Sequence, residues 1–274
     1  MLTLHSPEWL DENSPDSEGF RSTLTNKEDK GEGSDNPMHY YNLADMTGVN
    51  CACMPGSHFC VMEEKYVMRF QHYPGTIVEK YWTHPEVHGH DRPYIDASVS
   101  AMRQHMEEHP EIQEFLDAHD DDETLFVHCR LGDMGELEHT VYLQIEKAIK
   151  HGGFKKAIIC TGVMSNWANL PQQRQNGPQW PGTIDECHQT TWNTLKRLSD
   201  LPCTVQFCFG DVDEHFCVMA NAKNLMTHRG SYTTFLAYIG SGRIYLSHPA
   251  VASLRATAPN RPELAQRPNY IWSY

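Results

Sequence analysis

The 274-residue chain carries 22 Lys and Arg against 36 Asp and Glu, a net charge of −14 with histidines neutral. With no Lys/Arg run longer than two, that balance argues against a nucleic-acid backbone as partner, while small anionic ligands stay open because a pocket needs only local positive potential. No stretch approaches the ~20 apolar residues of a membrane span, the opening MLTLHSPEWLDENSPDSEG lacks the basic and apolar regions of a secretory signal, and the nine cysteines read as reduced thiols of a soluble cytoplasmic protein.

Residues 1–37 form a polar N-terminal segment whose stretch 11–37 has a linker-like composition. They read as a tail lying across the domain, with Trp9 and Leu10 as its anchors. Residues 38–120 read as a smaller α/β half. Within it 39–43 and 61–70 are strands or short helices on either side of the breaker Met54-Pro55-Gly56. Residues 95–109 predict a helix capped by Asp96 or Ser98, with Val99, Met102 and Met106 on one face. Pro110 interrupts it, and Ile112, Phe115 and Leu116 continue the apolar stripe.

The pattern sharpens over 121–250. A strand at 125–130 (LFVHCR) precedes a helix at about 137–150 with Val141, Ile145, Ala148 and Ile149 at apolar spacing, stopped by Gly152 and Gly153. Strand 157–161 follows, then helix 188–199, strand 204–209, helix 213–223, a short strand near 225–228, helix 231–239 and strand 243–247. Strands alternating with helices through short links predict a largely parallel sheet covered on both faces, a Rossmann-like domain. Residues 251–274 read as a tail whose Tyr270, Trp272 and Tyr274 pack back across the first half. No Gly-x-Gly-x-x-Gly and no Gly-x-x-x-x-Gly-Lys-Ser/Thr is present, so dinucleotide and P-loop binding lack their motifs.

Four strand ends finish in polar residues, where an open α/β sheet holds its ligand. They are His128, Arg130, Gly132 and Asp133; Thr161 and Gly162; Gly210 to Glu214, with Asp211 and Asp213; and His228 to Ser231. Each has an ordinary structural alternative: Asp213 suits a helix N-cap, Ser231 opens a helix, and a histidine on a buried strand such as His128 is commonly a satisfied core residue. An arginine beside a glycine at a strand end, as in Arg130 and Gly132, suits a phosphorylated ligand.

The block Val127-His128-Cys129-Arg130-Leu131-Gly132-Asp133 resembles the H-x-R-x-G-D motif of the fucosyltransferase-like glycosyltransferases. Asp211-Val212-Asp213-Glu214-His215-Phe216-Cys217-Val218-Met219-Ala220-Asn221-Ala222-Lys223, followed by Gly230-Ser231-Tyr232-Thr233, is similar to that family's later D-x-D-E-D-F and small-residue segments. The resemblance covers about 125–247, in order. It implies a GT-B architecture of two Rossmann-like halves with the nucleotide-sugar donor in the second. It also implies an inverting, metal-independent transfer of a sugar from a nucleoside diphosphate to a glycan hydroxyl. GDP-fucose is the family's default donor, and a UDP-sugar such as UDP-xylose is the variant that Cys129 suggests, standing where the family carries a second basic residue. Arg130 would then hold the donor diphosphate, Asp211 or Asp213 the base or ribose, and Ser231 with Gly230, Tyr232 and Thr233 the β-phosphate. His128 would support the site. The general base would come from the first half, where Asp45, Glu63, Glu64, Asp91 and Asp96 are candidates, of which Asp45 and Asp91 are taken forward.

Two rival readings carry their own residues. His84, His88 and His90 lie in a Pro- and Gly-containing loop that could ligate the metal of a hydrolase. Cys129, together with the missing Gly-Gly-x-Gly-Asn-Gln signature of many α1,2-fucosyltransferases, fits instead a carbohydrate-binding protein without catalysis on a transferase fold.

Overall fold

The computed structural model describes residues 2–10, 99, 102–103, 105–132, 135–164, 184–209, 212–229, 236–237, 239–251 and 268–272. The elements among them are β1 (Thr3–His5), a 3-10 turn (Pro7–Leu10), α1 (Pro110–His119), β2 (Thr124–Gly132), α2 (His139–Gly152), β3 (Lys156–Met164), α3 (Ile184–Leu198), β4 (Thr204–Phe209), α4 (Val212–Asn221), β5 (Asn224–Thr227), β6 (Arg243–Leu246) and β7 (Tyr270–Trp272).

The strands form one seven-stranded sheet in the order β1-β4-β3-β2-β5-β6-β7. Every pairing is parallel except that of β1 with β4. Counted from β2, the parallel part runs 3-2-1-4-5-6, the order of a doubly wound dinucleotide-type sheet. Its direction of growth reverses between β2 and β5, which makes that gap the topological switch point. The expectation of a mostly parallel α/β sheet is met.

The central strands read as apolar runs because both of their faces are covered. Alternate residues of β2 and β3 go to opposite layers. Phe126, Ile158 and Cys160, with Cys208 of β4, face α1 and α4 through Ile112, Leu116 and Phe216. Leu125, Val127, Ala157 and Ile159 face α2 and α3 through Val141, Ile145, Trp192 and Leu195. In α2 the buried positions are Val141, Ile145, Ala148 and Ile149, the spacing of one helical face. Gly153 then ends the helix in the left-handed conformation at φ 70°, its N–H donating to the Ile149 carbonyl.

Pro110 is the first residue of α1, after the N-cap His109, where a missing N–H costs nothing. It separates α1 from the helical turns at 99, 102–103 and 105–108. The amide of Asn221, at the end of α4, meets the sulfurs of Met102 and Met106 at 3.6 and 3.3 Å.

Both termini do more than drape over the surface. β1 hydrogen-bonds along the edge strand β4, with Thr3 opposite Phe209 and His5 opposite Phe207. Leu2 and Leu4 pack on one layer while Leu10 is buried in the other, so the segment wraps the edge and blunts it. Leu10 is thus an anchor as expected; the side chain of Trp9 lies outside the described residues, as do 11–98. The half at 38–120, across which the tail at 251–274 is expected to pack, lies largely outside the described residues, and the tail supplies β7 beside β6, with Tyr270 opposite Ile244. Its Tyr270 hydroxyl donates to the Ala237 carbonyl at 3.0 Å, and the Asn269 amide donates to Gly242 O at 2.7 Å.

Candidate functional site

The switch point, where sheets of this order hold their ligands in a crevice, is where β2 and β5 part. Their ladder covers only Phe126 with Leu225 and Val127 with Met226, whereas β2 stays paired with β3 as far as Gly132 opposite Met164. Beyond Val127 the backbone of β2 therefore has, among the described residues, no strand on its β5 side. The ring of His228, which follows β5, fills the gap, and the Arg130 N–H donates to His228 Nδ1 at 3.3 Å.

His228 is buried, and its Nε2 lies 3.2 Å from Glu138 Oε2. The other oxygen of Glu138 meets Arg229 Nη1 at 2.9 Å. Glu138 is the N-cap of α2, yet it makes no side-chain cap bond. The hydrogen bond from His228, with the nearby charge of Arg229, holds its carboxyl down at about 2 against an ordinary 4.5. Burial lowers the pKa of His228, a push that the Glu138 hydrogen bond opposes and the charge of Arg229 reinforces.

His128 and Arg130 follow Phe126 at alternate positions, which puts them on the α1/α4 face of β2; both are partly buried. Burial holds the His128 imidazole well below its ordinary value, and His228, His215 and Arg130 push it the same way. His215, in the first turns of α4, is buried, and its Nε2 has no hydrogen-bond partner among the described residues. Next to it Cys208 stands opposite Cys160 in the β3–β4 register. The bond between their thiols lowers Cys208, helped by His215, and raises Cys160. Arg130 and His128 of β2, His215 of α4 and His228 after β5 thus lie near one another toward the carboxyl end of the sheet, with the buried Glu214 beside His215, where an open α/β sheet holds its ligand.

Thr161 is buried on β3, and its hydroxyl donates to the Cys129 carbonyl at 2.8 Å, tying β3 to β2 at the crevice floor. Gly162 lies opposite Arg130 in the register and Gly132 ends β2. Asp213 falls in the first turn of α4, inside the helix rather than before it. Asp45, Asp91, Asp133, Asp211, Gly230, Ser231, Tyr232 and Thr233 lie outside the described residues, as do His84, His88 and His90.

Glu138 escaped the sequence reading because it fell in the first turn of the helix expected at about 137–150, where an acidic residue is ordinary. The available signal was its pairing with a His-Arg dipeptide at the end of a later strand. His215 was hidden inside the apolar run of α4.

Among the described residues no helix is long and apolar enough to cross a membrane. Comparison of the chain with protein-family models, with curated proteins and with solved structures finds no match.

Proposed function

We propose that this protein is a glycosyltransferase that moves a sugar from a nucleoside-diphosphate sugar, GDP-linked or UDP-linked, to a glycan hydroxyl. The observation that carries the reading is the position of Arg130. It belongs to the H-x-R-x-G-D-like block and stands at the switch point of a 3-2-1-4-5-6 sheet, where such sheets take nucleotides. The two-halved GT-B arrangement is part of the proposal, with 38–120 as the acceptor side and Asp45 or Asp91 as its base.

In this mechanism the acceptor hydroxyl attacks the anomeric carbon as the bond to the diphosphate oxygen breaks, and the base takes the hydroxyl proton. Negative charge grows on the departing diphosphate, and Arg130 meets it. A preorganised donor of this kind typically lowers the barrier by about 3–4 kcal/mol. His128 and His215, from the same layer, line the approach to the diphosphate. Asp211, Asp213 and Ser231 contact the nucleoside and β-phosphate.

The test is a panel of GDP- and UDP-sugars offered with glycan acceptors, reading release of the nucleoside diphosphate and sugar transfer. The proposal expects turnover with at least one donor and its loss in Arg130→Ala. Glycan binding with no turnover of any donor would replace it with the reading of a carbohydrate-binding protein.

A further inference from the structure

The N-cap carboxylate of α2 performs a task beyond ending a helix. We infer that Glu138 is a positioning residue, which fixes the ring of His228 and the guanidinium of Arg229 at the mouth of the crevice and through His228 steadies the backbone of Arg130. For the identity of the ligand the inference rests on the transferase reading; the orientation of the ring does not.

The argument starts from what each atom can do. A backbone N–H only donates, so the Arg130 N–H at 3.3 Å requires a lone pair on His228 Nδ1. The ring proton then sits on Nε2, which donates to Glu138 Oε2 at 3.2 Å. One neutral tautomer satisfies both bonds; a protonated ring would set Nδ1–H against the Arg130 N–H. Glu138 supplies the acceptor that selects this tautomer, and its second oxygen pins Arg229 Nη1 at 2.9 Å. An N-cap carboxylate would normally turn to the helix N–H groups, but this one makes no such bond, so its geometry serves the crevice. The relay spans three elements, since Glu138 opens α2, His228 follows β5 and Arg130 lies in β2, two residues before its end at Gly132.

The charged and titratable groups facing His228 are Glu138 from α2, Arg229 beside it, and Arg130 and His128 from β2. Of these only Glu138 favours a proton on the ring. Without it the ring is pushed further toward the neutral form but loses the acceptor that chooses between tautomers.

The experiment uses the full chain labelled with ¹⁵N-histidine, with the His228 ring signals assigned by their loss in His228→Asn. At pH 7.5 the wild type is expected to show one protonated and one lone-pair nitrogen on that ring. In Glu138→Ala the two signals should move toward each other as tautomers mix. Glu138→Gln, whose amide oxygen still accepts from Nε2–H, should restore the separation. GDP affinity, by titration calorimetry, should fall about tenfold in Glu138→Ala and recover most of that loss in Glu138→Gln, the loss expected for one buried hydrogen bond. An unchanged His228 spectrum in folded Glu138→Ala overturns the inference, and so does unchanged affinity in that variant when the wild type binds GDP. If the wild type binds no nucleoside diphosphate while the tautomers still mix in Glu138→Ala, the positioning role stands and the transferase reading falls.

Discussion

The backbone N–H of Arg130 and the Nδ1 of His228 meet at 3.3 Å across 98 positions of sequence. The contact exists because β5 stops pairing with β2 after Met226 while β2 runs on. A side chain takes over the hydrogen bond that a longer strand would have made. The switch point is therefore held together by the residues proposed to work in it.

Acid should destabilise the protein in two windows. The folded pKa of His228 lies below its ordinary 6.5, so the unfolded chain binds a proton first and stability falls as pH drops below about 6.5. Glu138, held at about 2 against 4.5, contributes stability that is complete above 4.5 and is lost as pH falls toward 2. Urea midpoints measured from pH 7.5 down to 2.5 should decline through both windows. Glu138→Gln should decline less steeply than wild type below pH 4.5. A parallel decline in the two proteins would show that Glu138 is not ionised in that contact.

Gly242 leads into β6, and a Cβ there would meet the Ala222 carbonyl oxygen at 2.1 Å and the Lys223 carbonyl oxygen at 2.5 Å. Both obstacles are backbone, so neither can rotate away. Gly242→Ala should cost about 2–3 kcal/mol, the upper range for an overpacked site. Equilibrium unfolding in urea checks this, and a loss under 0.5 kcal/mol, the usual scatter of a neutral surface change, would mean that the β5–β6 connection runs elsewhere.

Tyr270→Phe removes the hydroxyl that donates to Ala237 O at 3.0 Å. The acceptor stays buried, so the variant should lose about 1 kcal/mol. The same measurement tests whether β7 is part of the sheet, because a tail packed elsewhere would give no loss at this position.

Much of this architecture was readable locally. β2, β3 and β4 announce themselves because strands covered on both faces must be apolar throughout, and α2 because its buried residues recur with helical spacing and stop at Gly153. The strand order was not readable, since nothing local in β4 or β5 states that the chain crosses back over β3 and β2. β1 and β7 have three residues each, too few for a period-two pattern. The site divides along the same line. His128 and Arg130 could be picked out as polar ends of one apolar strand. The Glu138–His228 contact joins residues 90 positions apart; His228 stands out as a polar strand end, but nothing local pairs it with Glu138. The bond from the Thr161 hydroxyl to the Cys129 carbonyl depends on the register of β3 against β2, which the sequence does not state.

The central claim is that Arg130 meets a diphosphate at the switch point, and calorimetric titration of GDP and UDP into wild type and Arg130→Ala tests it most directly. The account predicts saturable binding of at least one of the two by the wild type and a loss of tenfold or more, about 1.4 kcal/mol, in the folded variant. Equal affinity in the two proteins, or no heat of binding from either nucleotide with the wild type at millimolar concentration, would contradict it.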